Sequence, residues 1–242
     1  SLEQLGADTS VIHICAPGSP EVEKIVDALA PSMSTGDVIV DCSTSDPDRT
    51  IALAERLKAR GIEMADAPLG GTPVQAEAGE LSTMVGSTEE LFKRIEPVIA
   101  SWAASIVHIG SVGTGHKMKL LNNFLSLGYA ALYAEALALS EKVGISVQQF
   151  DSVIRGSRMD CGFYQTFMGY AVAGNREAHK FTLKNAVKDL NYFESMADGV
   201  TLSNPIVNAV KISFAEAYSS VGDGPENYVP HLVDIVRQRN GL

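Results

Sequence analysis

The chain has 242 residues, of which 45% are hydrophobic and 20% are charged, and its formal net charge is -10. This length and apolar content suffice for a large core in one or two domains. The acidic balance and the lack of a Lys/Arg cluster disfavour nucleic acid and anionic membranes as partners. No apolar run approaches the roughly 18 residues of a membrane helix. We therefore expect a protein that acts on a small molecule.

The cysteines and histidines are few and widely separated. Cys15, Cys42 and Cys161 are odd in number and show no Cys-x-x-Cys spacing, which is typical of reduced, mostly core thiols in a cytoplasmic protein. The five histidines are equally scattered, and their spacing is not that of metal ligands. We predict no metal site.

The first half of the chain alternates short apolar runs with amphipathic segments. These predict strands at 10–15, 37–42, 62–65 and 81–85, and helices that begin at Pro20, Pro47 and Thr88. The alternation predicts a parallel sheet wound by helices. Such sheets bind ligands at the carboxyl ends of their strands, and these ends are 15–18, 42–45 and 66–68.

A long helix is predicted to open the second half. A strand at 105–109, which looks buried, leads through a glycine-rich turn into a helix from Thr114, a possible cap, to about Val143, before the stop signal Gly144. Its apolar residues at helical spacing predict a buried helix, and they are Met118, Leu121, Leu125, Leu132 and Ala136. Only helical periodicity follows. We predict domains at 1–112 and 113–242, the second all-helical and opening with this interdomain helix.

Lys119 and Asn123 stand four residues apart in the first turns of that helix, so that a cation and an amide share one face. A partly desolvated lysine can exchange a proton with a substrate oxygen. A lysine considered alone is more often an ordinary solvated side chain. The preceding strand and the glycines Gly110, Gly113 and Gly115 favour a functional site, because α/β proteins hold ligands where a strand, a glycine turn and a helix meet.

Two nucleotide-binding motifs are nearly matched here and are excluded. A phosphate loop beginning at Gly110 would need Lys and then Ser or Thr where His116 and Lys117 stand. A dinucleotide fingerprint beginning at Gly113 would need a third glycine where Met118 stands. Neither motif assigns a ligand to this turn.

Three groups of residues carry a family resemblance. Residues 66–73 with 79–86, then 113–123, then Phe181 with 188–190 follow one another along the chain. In this order they resemble the substrate-binding, catalytic and cofactor-proximal signatures of the β-hydroxyacid dehydrogenases, the family of 3-hydroxyisobutyrate dehydrogenase and tartronate semialdehyde reductase. The resemblance covers nearly the whole chain. It implies an α/β fold with a partial Rossmann-type doubly wound sheet, followed by an all-α domain like the C-terminal domain of 6-phosphogluconate dehydrogenase.

The resemblance also implies an activity, the reversible oxidation of a small β-hydroxyacid to its semialdehyde or keto acid with NAD or NADP. The residue that matches Lys119 is the general acid/base in that family, and the one that matches Asn123 binds the substrate. The residues implied near the cofactor are Pro17, Thr44, Phe181 and Lys188. Purely structural roles stay open for three of them: Pro17 as a turn former, Thr44 as part of a helix cap and Lys188 as a surface charge. Family members form homodimers or homotetramers through the helical domain, so we expect a homo-oligomer.

The chain departs from the family pattern in two places. Gly70, Gly71 and Thr72 stand where members commonly have Ser-Gly-Gly, so a substrate-binding hydroxyl is missing, although the three backbone N–H groups can bind an anion. This suggests a bulkier substrate or another acid group, with sulfonated or phosphonated aldehydes as one hypothesis. The family's N-terminal Gly-rich strand–turn–helix unit is also absent, and with it the residue that selects NAD or NADP. We therefore expect an incomplete chain.

Two other functions stay open. Imine reductases share this architecture, but those compared commonly lack the lysine. A catalytically silent dimeric scaffold or binding protein is the other alternative. The presence of Lys119 disfavours the imine reductase, and the joint presence of Lys119, Asn123 and Lys188 disfavours the silent scaffold.

Overall fold

The computed structural model describes residues 1–222, 224 and 227–242. The chain forms two compact units, Ser1–Leu121 and Asn122–Leu242. The division falls within one long helix, whereas the sequence predicted a boundary between residues 112 and 113, which stays a prediction. Among the described residues, no helix is long and apolar enough to span a membrane.

The first unit contains a six-stranded sheet with helices. Its strands are β1 (Val11–Ile14), β2 (Val38–Asp41), β3 (Glu63–Asp66), β4 (Leu69–Gly70), β5 (Leu81–Gly86) and β6 (Ala103–Gly110). Its helices are α1 (Leu2–Asp8), α2 (Ser19–Leu29), α3 (Pro47–Lys58), α4 (Pro73–Glu77), α5 (Glu89–Ile99) and the first turns of α6 (Thr114–Lys142). The predicted strands and helices are all present, and α1, β4 and α4 are additions.

The sheet is mixed, with strand order β1-β2-β3-β5-β4 and with β6 paired to β5. The prediction of a parallel sheet is confirmed for β1, β2 and β3, in which Ile14, Asp41 and Asp66 end neighbouring strands in register. It is wrong for β4 and β5, because β5 pairs antiparallel with both β3 and β4. The segments that join these strands are shorter than the dozen or more residues that a parallel crossover needs.

Helices cover both faces of this sheet. Ile39 of β2 packs with residues of α2 and α3, whereas its neighbours Val38 and Val40 pack with residues of α5. Alternate residues of one strand thus enter two different cores, which is the doubly wound arrangement predicted. The edge strand β6 differs from the prediction of a buried strand: Val107 and Ile109 are 49% and 40% exposed, because β6 pairs with β5 and with no other strand of the described residues.

The second unit is helical. Besides the remainder of α6 it contains α7 (Val147–Ile154), α8 (Gly162–Ala171), α9 (Leu183–Gly199), α10 (Pro205–Val221), a 3₁₀ turn at Val229–His231 and α11 (Leu232–Arg239). Within the described residues this confirms the all-helical prediction, apart from one isolated bridge between Thr182 and Tyr228. Gly144, with φ +83°, follows the end of α6 as predicted.

Helix α6 is confirmed, but the predicted buried face is wrong. The chain buries the face that carries Leu120, Leu127, Ala130, Ala134 and Leu137. The predicted residues lie on another face: Met118, Leu121, Leu125 and Leu132 are 38%, 43%, 55% and 64% exposed, and Ala136 is partly exposed. Because α6 is apolar around most of its circumference, periodicity could not tell which stripe the chain itself covers.

The cysteine prediction also needs correction. Cys42 is buried, whereas Cys15 and Cys161 are exposed. Cys15 lies just beyond the end of β1, and Cys161 is the N-cap of α8. Residues at the ends of elements are less often covered than those in their interior, which the count and spacing of cysteines do not show.

Candidate functional site

Lys119 and Asn123 lie one turn apart near the start of α6, as predicted. Lys119 is partly exposed and Asn123 is 6% exposed. Residues four apart on a helix project from the same side. The helix therefore presents a cation and an amide toward one side.

The start of α6 is held by Asp66, the last residue of β3. Its Oδ1 accepts the N–H of Gly113 at 2.6 Å, and its Oδ2 accepts the N–H of His116 at 2.7 Å. Asp66 is fully buried, and burial raises the pKa of its carboxyl, although His116 and the two N–H groups oppose this. Thr114, the predicted cap, is instead the first helical residue, and its hydroxyl donates to the carbonyl of Ser111.

The ring of His116 is fully buried beside two carboxylates. Its Nδ1 lies 2.9 Å from the hydroxyl oxygen of Thr50 on α3. Its Nε2 is 3.8 Å from Oδ2 of Asp41, the last residue of β2, and its Nδ1 is 3.9 Å from Oδ2 of Asp66. His116 thus connects the ends of β2 and β3 with α3.

Asp41 also fixes the loop that carries Thr44. Its two carboxylate oxygens accept the N–H of Ser43 at 2.9 Å and the hydroxyl of Ser45 at 2.8 Å. Thr44 lies between them and is partly exposed. It is not the cap of α3, because that position belongs to Asp46. The structural alternative for Thr44, a place in the helix cap, therefore does not extend to the N-cap position, and its assignment to the cofactor stays a prediction.

Pro17 and Thr44 follow the neighbouring parallel strands β1 and β2 at their carboxyl ends. Pro17 is exposed. The two acidic residues at this edge, Asp41 and Asp66, are both buried and hydrogen-bonded. The more exposed residues Pro17 and Thr44 are neutral, which suits an anionic dinucleotide. Because Pro17 and Thr44 carry no negative charge that would repel the phosphates, these residues fit NAD or NADP.

Asn123 belongs to a second polar group, in the helical unit. Its Nδ2 donates to Oδ2 of Asp189 on α9 at 2.7 Å, and Asp189 is 3% exposed. The other carboxylate oxygen lies 3.2 Å from Nζ of Lys188, whose side chain is 24% exposed. The Lys188 ammonium also lies 5.4 Å from the ring centroid of Tyr192. Lys188 is thus more constrained than an ordinary surface charge.

Phe181 lies just before α9, and it is partly exposed. Its carbonyl accepts the N–H of Val229 at 2.8 Å, and its ring makes an edge contact with that of His179. These contacts fix its position. Its assignment to the cofactor stays a prediction.

Gly70 is the last residue of β4, and Gly71 and Thr72 lie between β4 and α4. Gly70 pairs with Ser82 of β5, and Gly71 has a φ of +127°. The N–H of Thr72 donates to Oε1 of Gln75 at 2.9 Å, so in this structure it is engaged within the loop, contrary to the expectation of three N–H groups facing an anion. Substrate binding by this segment stays a prediction.

Sequence reasoning named no role for Asp66, His116 or Asp189, the residues that organise these groups. For Asp189 there was a signal, since it is an acidic residue on the side of α9 that carries Ala186, Leu190 and Phe193. Asp66 and His116 gave no such signal. Asp66 is 47 positions from Gly113 and 50 from His116, and residues so far apart in sequence come into contact only through the fold.

Comparisons with known proteins agree with this architecture. Residues 1–110 match the NAD binding domain of 6-phosphogluconate dehydrogenase, and residues 113–228 match the NAD-binding domain of NADP-dependent 3-hydroxyisobutyrate dehydrogenase. A 3-hydroxyisobutyrate dehydrogenase of Pseudomonas aeruginosa is 32% identical over 205 residues, which are 81% of this chain and 69% of that protein. The chain belongs to the β-hydroxyacid dehydrogenase family.

A second relative aligns over nearly the whole chain. A 3-sulfolactaldehyde reductase of Escherichia coli is 26% identical over 242 residues, 99% of this chain and 80% of that protein. Among solved structures, the fold resembles that of a Mycobacterium tuberculosis 3-hydroxyisobutyrate dehydrogenase with L-serine, with a TM-score of 0.88 at 23% identity, over 98% of this chain and 82% of that one. The chain spans 52% of the length of three further curated relatives that are 34% identical.

Proposed function

We propose that the chain carries the catalytic residues of an NAD(P)-dependent oxidoreductase that interconverts a small β-hydroxyacid and its semialdehyde or keto acid. The observation that carries the proposal is the position of Lys119 and Asn123, one turn apart on α6, in a β-hydroxyacid dehydrogenase. Lys119 is the general acid/base. Asn123 binds the substrate.

The chemistry assigned to Lys119 is proton transfer. Its ammonium donates a proton to the carbonyl oxygen during reduction, and its amine accepts the hydroxyl proton during oxidation. NAD or NADP, when bound, supplies or accepts the hydride. Pro17, Thr44, Phe181 and Lys188 are the residues assigned to hold the cofactor.

Asn123 can orient the substrate because its own amide is oriented. The Asp189 carboxylate is an acceptor only, so Nδ2 of Asn123 must face it. Oδ1 and the second hydrogen of Nδ2 remain to bind a hydroxyl or carbonyl group. A substrate held in this way beside Lys119 would react faster because it is correctly oriented, in addition to the effect of proton transfer.

The substrate class that we propose is a small molecule with one acid group, bound by Gly70, Gly71 and Thr72. A sulfonate is a specific candidate, because the relative that aligns over 99% of the chain is named a 3-sulfolactaldehyde reductase. The space next to the two glycines is not empty, because a Cβ atom at Gly70 would lie 2.5 Å from Oγ of Ser82 and one at Gly71 would lie 2.9 Å from a side-chain carbon of Leu81. The sulfonate candidate therefore rests on the relative and not on extra room.

A rate survey with the full-length protein tests the activity. The panel contains serine, glycerate, 3-hydroxyisobutyrate and a sulfonate analogue, each with NAD and with NADP. Turnover of one of these, lost by orders of magnitude in Lys119→Ala with cofactor affinity retained, supports the proposal. Lys117→Ala is the matched control, because it removes a lysine two positions away on another side of the helix. Unchanged turnover in Lys119→Ala would rule out the assigned acid/base.

We also propose that the protein is a homodimer or homotetramer. An exposed apolar residue recurs at every seventh position of α6. These residues are Met118, Leu125, Leu132 and Leu139, which are 38%, 55%, 64% and 63% exposed. Such a repeat is a helix-packing seam, and a second copy related by a two-fold axis presents the same seam. We place the protein in the cytoplasm because its three cysteines are free thiols.

A further inference from the structure

The first turn of α6 depends on a carboxylate from another element. The N–H groups at a helix start have no acceptor within the helix. At the start of α6 two N–H groups, from Gly113 just before the helix and from His116 within it, donate to the two oxygens of Asp66. A negative charge at this position also interacts favourably with the positive end of the helix dipole. The position of the first turn is therefore coupled to the end of β3.

Two glycines make this contact possible. A Cβ atom at Gly86 would lie 2.3 Å from Oδ1 of Asp66. A Cβ atom at Gly115 would lie 2.2 Å from the carbonyl oxygen of Met84 and 2.8 Å from Oδ2 of Asp66. Any side chain at either position would push the carboxylate and the helix apart.

The His116 side chain holds the same turn from the other side. Thr50 is 3% exposed, and its hydroxyl meets Nδ1 of His116 at 2.9 Å. The backbone N–H of His116 is bound by Asp66. One residue of the turn is thus held at both its backbone and its ring.

Lys119 follows His116 by three residues, which corresponds to about 4.5 Å along the helix axis. We propose that Asp66 and Thr50 are positioning residues, which act through the first turn of α6 to hold the Lys119 ammonium where it meets the substrate oxygen. Neither residue touches the substrate. This inference rests on the proposed function, in which Lys119 transfers the proton.

Asp66→Asn is the first test, made in the full-length protein with the most active substrate of the panel. The variant keeps the shape of the side chain but turns an NH₂ group toward one backbone N–H. We expect kcat to fall by about 10- to 100-fold, because a displacement of about 1 Å has an effect of that size. Cofactor affinity should stay within about twofold. The primary deuterium isotope effect on kcat should rise, because slower chemistry becomes rate-limiting.

Thr50→Val and Thr50→Ser form a second pair, which keeps the proposal testable if Asp66→Asn does not fold. Valine has the same shape as threonine without the hydroxyl, whereas serine keeps it. We expect kcat to fall and the isotope effect to rise with valine, and serine to restore both. Ile95→Val, at a buried position of α5, is the control for lost stability alone, because a smaller folded fraction lowers kcat without changing the isotope effect.

Lys119→Ala, measured in parallel, separates this inference from the proposed function. If Lys119→Ala abolishes turnover while Asp66→Asn and Thr50→Val keep the wild-type kcat and isotope effect, the positioning role is wrong. It is also wrong if serine and valine at position 50 behave alike. If Lys119→Ala is fully active, it is the proposed function that fails.

Discussion

The side-chain amide of Asn123 donates a hydrogen bond of 2.7 Å to the carboxylate of Asp189. Both side chains are nearly fully buried. The same carboxylate lies 3.2 Å from Nζ of Lys188. Asp189, for which the sequence predicted no role, thus contacts two of the predicted site residues. Its removal would leave the buried amide of Asn123 and the ammonium of Lys188 without this acceptor.

We expect Asp189→Ala to lower the free energy of unfolding by about 1–3 kcal/mol, the usual effect of leaving a buried donor unsatisfied. The substrate KM should also rise, because Asn123 loses the contact that orients its amide. Asp189→Asn keeps an acceptor for Asn123 and should cost less. Urea unfolding and initial rates measure both effects.

Glu194→Gln is the matched control for this pair on the same helix. Glu194 forms an ion pair with Lys211 in which both side chains are more than a quarter exposed. Pairs of this kind contribute at most about 1 kcal/mol. Equal losses in Asp189→Ala, Asp189→Asn and Glu194→Gln would show that the hydrogen bond to Asn123 has no special weight.

Gly115→Ala and Gly128→Ala test close packing at the start of α6. Alanine in place of glycine inside a helix normally stabilises by about 1 kcal/mol. At Gly128 a Cβ atom meets nothing within 4 Å, so we expect that gain. At Gly115 it would meet the Met84 carbonyl at 2.2 Å, so we expect a loss of about 1–3 kcal/mol. Thermal unfolding of both variants measures the contrast, and a gain at both positions would contradict the packing described.

The sequence predicted most elements of this fold for identifiable reasons. Val38, Ile39 and Val40 form an apolar run that is buried on both faces of the sheet, and such a run predicts a strand wherever it lies. Lys119 and Asn123 were found because helical spacing is local. Asp66 and His116 were not, because their contact depends on the register of β3 and on glycines at 86 and 115. The antiparallel β5 was missed because strand direction depends on pairing partners, which an apolar run does not show.

The pKa of Asp66 makes a prediction about stability and pH. Burial raises this pKa above its ordinary value of 3.8. A raised pKa means that the folded state binds the proton more tightly, so the contribution to stability is complete below the unfolded pKa and is lost as pH rises through the folded pKa. We therefore expect wild type to lose stability relative to Asp66→Asn as pH rises from about 3.8, by at most about 1.4 kcal/mol per pH unit.

The measurement is the difference in the free energy of unfolding between wild type and Asp66→Asn, by urea titration at a series of pH values. Titrating groups that do not interact with Asp66 are shared and cancel in the difference, whereas its interactions with His116 and Asp41 remain part of it. A difference that moves the opposite way with pH would mean that the two N–H groups and His116 outweigh burial. The carboxylate would then be stabilised in its ionised form.

Leu132→Lys tests the α6 seam as a contact between two copies. Leu132 is 64% exposed in the single chain, so a lysine there should leave the folded protomer intact. In an isologous dimer the same residue lies in both halves of the interface. Each copy loses about 1.5 kcal/mol or more of apolar burial. We therefore expect the free energy of association to become less favourable by about 3 kcal/mol, which raises Kd about 100-fold.

Light scattering coupled to size-exclusion chromatography, over a dilution series, measures this change in assembly. Val153→Lys is the matched control, because Val153 on α7 is 73% exposed and lies outside the seam. An oligomer that dissociates on Leu132→Lys and persists on Val153→Lys supports the seam as its interface. An unchanged mass in both variants means that the copies associate through another surface. A monomeric wild type means that the heptad repeat of Met118, Leu125, Leu132 and Leu139 does not pair with a second copy.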